Sequence, residues 1–114
     1  EGKTFYHAGD LNWWHWEGEP ASWNRNMETG FRREIDSIAG ERFDAAFVPL
    51  DPRLEAAYGL GMDYFLQKTS ATHVFPMHMG EEYGYISKYK ETQTGRQHAA
   101  QIVDISRRGE EFML

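Results

Sequence analysis

The chain has 114 residues and a net charge of −6, and it is 40% apolar and 15% aromatic. That length suits one domain over 1–114, and the composition is too apolar for a disordered segment. The acidic balance argues against nucleic acid, because the nearest thing to a basic cluster, Arg32-Arg33, is surrounded by Glu28, Glu34 and Asp36.

Strand and helix patterns alternate along the chain. Thr4 to His7 is short and β-prone, and it breaks at Ala8-Gly9-Asp10. The chain opens on Glu and enters this strand within a few residues, which reads as a piece cut from something longer. A polar and aromatic loop follows from Leu11 to about Trp23. Met27, Phe31, Ile35 and Ile38 are then spaced for one face of a helix that Asn24 or Asn26 could cap and Gly40 could end. Phe43 to Leu50 is a nearly continuous apolar run, as in a strand buried on both faces, and Asp51-Pro52 stops it.

A short turn through Leu54 to Tyr58 leads to a second helix with Met62, Phe65, Leu66 and Thr69 on one face. A third strand, Thr72 to Pro76, runs into Met77-His78-Met79-Gly80. A third helix spans about Glu81 to Glu91, with Tyr83, Ile86 and Tyr89 inward. Gln101 to Ser106 reads as a fourth strand, and Arg108-Gly109 turns the chain toward a hairpin partner at Glu111 to Leu114. The fold class expected is α/β.

Strands joined by helical crossovers lie parallel, and ligands gather beyond their C-terminal ends. Asp10, Asp51 and His78 fall at three such ends. Asp10 is either a loop carboxylate capping backbone amides or a carboxylate aimed at a cation. His78 alone reads as a packing residue, but imidazole is also the commonest metal ligand. Together, an oxygen and a nitrogen donor from separate loops suit zinc or a similar divalent ion. Asp51, before Pro52, is expected to form the turn; His7 could face the core or the site, and His73 sits at the far end of its strand.

The run Trp13-Trp14-His15-Trp16 either folds back over the core or walls a pocket for a small-molecule substrate, with His15 facing the site. The absence of cysteine excludes disulfides, thiolate zinc sites and a cysteine nucleophile, and fits a reducing, cytoplasmic compartment. No apolar run approaches the roughly 18 residues of a membrane span, so no membrane partner is expected. There is no nucleophile elbow, no phosphate loop and no H-E-x-x-H pair.

Three stretches carry a family resemblance: Phe5-Tyr6-His7-Ala8-Gly9-Asp10, Phe43 to Leu50, and His73-Val74-Phe75-Pro76-Met77-His78. In them the chain resembles the C-terminal half of metal-dependent hydrolases of the metallo-β-lactamase superfamily. The resemblance implies half of a four-layer αββα sandwich, one mixed sheet flanked by helices. It also implies that Asp10 bridges two metal ions and that His78 binds one of them. The superfamily's H-x-H-x-D-H motif is missing, so the site is expected to be incomplete and this chain inactive alone. The partner implied is an N-terminal half of the same fold or a second copy of the chain, which would cover a bare sheet face. The rival expectation is a non-catalytic interaction or oligomerisation domain.

Overall fold

Residues 3–112 are described by a computed structural model. Its sheet has three parallel strands in the order β1-β2-β3, with β1 at Phe5–His7, β2 at Arg42–Pro49 and β3 at Ser70–Met77. Between them lie α1 at Ala21–Asp36 and α2 at Leu60–Lys68, the latter preceded by a 3-10 turn at Pro52–Ala57. Two short helices, α3 at Gly84–Lys90 and α4 at Gln93–Gln97, follow β3. Among the described residues no helix is long and apolar enough to cross a membrane.

The helices form where four-residue spacing gives them an apolar face. In α1 that face is Phe31 and Ile35; in α2 it is Met62, Phe65 and Leu66. Helix α1 begins at Ala21, behind Pro20, rather than at an asparagine cap. Asn24 instead lies within the helix and clamps the aromatic loop: its Oδ1 accepts from the Trp16 N–H at 3.0 Å and its Nδ2 donates to the Trp16 carbonyl at 3.1 Å. Pro fits a first turn because its missing N–H would have no partner there. Past the end of α1, Gly40 adopts φ +84, and its N–H donates to the Lys68 carbonyl at the C-terminal end of α2.

Strand β2 is central, paired on both sides, and its Ala45, Ala46 and Val48 are buried. Alternation along a strand sends neighbouring side chains to opposite faces. Tyr6 stacks on Phe65 of α2, so it faces the helical layer. His7 therefore faces the other way, and its register partners Phe47 and Phe75 continue that row across the sheet. His7 stacks on Phe47 at 5.5 Å, Phe47 on Phe75 at 5.0 Å, and Phe112 meets Phe75 edge-on.

The C-terminal segment departs from expectation. In place of a fourth strand over Gln101 to Ser106 there is one parallel bridge, Val74 to Ile102. Two backbone bonds flank it, from the Val74 N–H to the Gln101 carbonyl and from the Val103 N–H to the Val74 carbonyl. Gln101 donates its amide to the Ala71 carbonyl, Asp104 pairs with Lys90 at 3.0 Å, and the Ser106 N–H and hydroxyl both bind Glu110. Residues 111–112 form no hairpin strand, and 113–114 lie outside the described residues. The sheet described is consequently all parallel, not mixed. The third helix is also shorter than expected, with Met79 to Tyr83 taken up by turns and α4 capped separately by the Thr92 side chain.

Candidate functional site

Three strand ends meet at one edge of the sheet, as parallel topology dictates. After β1, the Ala8 N–H still pairs with the Phe47 carbonyl; then Gly9 turns at φ +62 and presents Asp10, whose side chain is 93% exposed. Beyond β2, the Leu50 N–H pairs with the Met77 carbonyl at 2.7 Å, which places Asp51 beside the end of β3. His78 follows β3 with φ +73, a left-handed conformation that a non-glycine residue adopts at a cost of order 1–3 kcal/mol.

The consequence is a close pair. His78 Nε2 lies 3.2 Å from Asp10 Oδ1, and its Nδ1 faces Asp51 Oδ2 at 3.9 Å, beyond direct hydrogen bonding. Sequence distance had separated these groups, and the sheet edge joins them. Asp10 is further held through its carbonyl, which accepts from the Trp14 indole N–H at 3.0 Å.

Asp51 does form the turn, capping the 3-10 segment through the Arg53 N–H. It does more than that. Its carboxylate is fully buried and takes Arg53 Nε at 3.0 and 3.2 Å and Nη2 at 2.6 Å. Burial pushes the carboxyl up, but the Arg53 hydrogen bonds and charge outweigh it and hold Asp51 below the usual carboxylate range.

The aromatic run splits. Trp13 enters the core against Phe31 and Tyr64. Trp14 and Trp16 stack nearly parallel at 5.8 Å, with Trp14 6.2 Å from the His78 ring and the Arg53 guanidinium over both indoles. His15 lines a separate surface recess with Glu17, Arg25 and Glu28. His7 does not reach the pair, since its Nδ1 accepts the Gly9 N–H and its ring lies on Phe47. His98 is taken up locally, with Nδ1 2.7 Å from Gln101 Oε1.

Sequence reading gave Arg53 no role, and it offered Asn24 only as a helix cap. The available signal was the Asp51-Pro52-Arg53 spacing at a strand end, which lets a side chain fold back on a carboxylate two residues earlier.

As a metal site the donor set is partial. Asp10 offers a carboxylate oxygen and His78 an imidazole nitrogen, while Asp51 is saturated by Arg53. Among the described residues no group of three or more His, Cys, Asp or Glu side chains could hold a metal ion. Two donors fall short of the three or four that zinc takes from protein, so the chain alone does not fit a resident metal.

No protein-family model matches the chain, and no curated protein or solved structure matches it.

Proposed function

We propose that this chain is the C-terminal half of a metal-dependent hydrolase of the metallo-β-lactamase type, inactive alone. In this reading Asp10 bridges two divalent ions, zinc first among the candidates, and His78 binds one of them. The remaining ligands come from an N-terminal half of the same fold or from a second copy, working in a reducing cytoplasmic compartment. The observation that carries the reading is the 3.2 Å approach of His78 Nε2 to Asp10 Oδ1. A carboxylate and an imidazole converge there from separate strand ends, and one of them sits in a strained backbone conformation.

Bound divalent ions would supply a polarised, acidified water for hydrolysis of an ester, amide or phosphoester. This chain's contribution is positional. The exposed Asp10 carboxylate is held at its backbone by Trp14, and His78 adds a neutral nitrogen donor without adding charge. The row His7, Phe47 and Phe75 supports the other half of the proposal, since an aromatic sheet face suits a second sheet packed at about 10 Å in a four-layer sandwich.

The same row favours a second reading, a non-catalytic assembly domain that keeps a hydrolase scaffold. Zinc titration of the chain with its completing half separates the two. The first reading expects saturable uptake that Asp10→Ala or His78→Ala abolishes; uptake indifferent to both leaves the assembly domain.

A further inference from the structure

Asn12 carries a donor that the fold leaves unused. It lies in the loop after β1, only 3% exposed, and its Oδ1 accepts the Trp13 N–H at 2.8 Å. The same oxygen sits where a Cβ on Gly61 would fall, so α2 packs against that arm of the amide. The other arm, Nδ2, has no hydrogen-bond partner among the described residues. Reversing the amide cures nothing, because the nitrogen would then face the Trp13 N–H. A buried donor left unpaired is a net cost to folding, and in a native chain it calls for a partner.

A recess of about 350 Å³ between this loop and α1 offers the place for one. Asn12 lines it, and Leu11, Trp14, Met27 and Phe31 give it an apolar wall. Ligand pockets begin at roughly 300 Å³, so a small molecule fits and a large one does not. Nδ2 is closed off from water, and an acceptor reaches it where the wall gives; Met27 is the unbranched, adaptable member of that wall. The rim sets two carboxylates, Asp10 and Glu34, against the single guanidinium of Arg33. That balance disfavours an anion. An amine suits the carboxylates but brings Nδ2 no acceptor. A carboxamide answers both needs without charge: its carbonyl accepts from Nδ2, and its N–H donates to a rim carboxylate.

We infer that this recess binds a neutral carboxamide with a short apolar chain, its carbonyl oxygen on Asn12 Nδ2 and its chain against Trp14 and Met27. As an assignment of substrate class this rests on reading Asp10 as part of a hydrolase site, and it narrows the candidates there from esters, amides and phosphoesters to neutral amides. Binding itself needs no metal. Asp10 joins the two places, since it borders the recess and also pairs with His78.

The test is a titration of the full chain with N-butylacetamide, chelator present, against sodium butyrate and butylamine at constant ionic strength. The Asn12 side-chain amide and Trp14 indole N–H resonances are followed together. Saturable shifts in both are expected with the amide, with binding about tenfold weaker or worse for the two charged probes. Asn12→Asp keeps the acceptor for the Trp13 N–H and removes the donor. It should weaken amide binding about tenfold, the worth of one hydrogen bond, with an unchanged circular dichroism spectrum. Met27→Trp fills the recess from α1 and should abolish binding, and it decides the matter where Asn12→Asp fails to fold. The inference is overturned by absence of saturation, by shifts that leave the Asn12 amide unmoved, by equal affinity for butyrate, or by full affinity in Met27→Trp protein. Because chelator is present throughout, such a result leaves the metal reading of Asp10 and His78 standing, and failed zinc uptake in turn leaves the recess standing.

Discussion

Arg53 closes a set of hydrogen bonds on Asp51, reaching from solvent onto a carboxylate that is wholly buried. A buried carboxylate without a partner is among the costliest things a fold can contain. Arg53→Ala is therefore expected to destabilise the chain by about 3 kcal/mol, far more than an exposed arginine normally would. Urea unfolding checks this, and Asp51→Asn in the same background should recover part of the loss.

The Asp51 carboxyl also sets a pH dependence. Its folded pKa is held below the unfolded value, so its stabilisation is complete above the unfolded pKa of about 4 and is lost as pH falls through the folded one. Unfolding midpoints measured from pH 6 down to pH 2 should fall in the wild type, and this component should vanish in Asp51→Asn.

Asp63 works in the opposite sense. Burial raises its carboxyl despite the hydrogen bond donated by Tyr89, so its contribution is complete below the unfolded pKa and lost as pH rises through the folded one. Tyr89→Phe removes that donor and should cost about 1–2 kcal/mol. The loss should grow between pH 4 and pH 7 as Asp63 ionises with only the Thr94 hydroxyl left to donate to it, which a pH series of thermal melts would resolve.

Gly61 lets the aromatic loop approach α2. A Cβ there would collide with the Asn12 Oδ1, which accepts the Trp13 N–H. Gly61→Ala should push the Asn12–Trp14 segment outward at a cost of about 1–3 kcal/mol, shifting indole emission to the red. An unshifted spectrum with full stability would mean the loop is not seated on Gly61.

The row of His7, Phe47 and Phe75 makes a claim about assembly. Phe47→Glu should abolish any self-association or docking of the completing half while leaving the helical layer folded. Sedimentation velocity gives the first readout and circular dichroism the second.

How much of this could be read from sequence differs by element. Spacing found the helical faces, because Phe31, Ile35, Met62 and Phe65 recur at the helical period and are buried. The apolar runs located β2 and β3 to within two residues at each end. The segment after Gln101 misled because Ile102, Val103 and Ile105 look like a strand, although among the described residues only Ile102 bridges to β3. At the site, strand ends placed Asp10, Asp51 and His78 on one edge. What sequence could not carry was side-chain direction: which tryptophan turns inward, and that Arg53 folds back onto Asp51.

The most direct test of the central claim is native mass spectrometry, with metals retained, on the protein from its natural source. The account predicts a species heavier than 13.3 kDa that carries two divalent ions and loses them when Asp10 or His78 is replaced by alanine. A species with no metal, or one whose metal content ignores both substitutions, would contradict it.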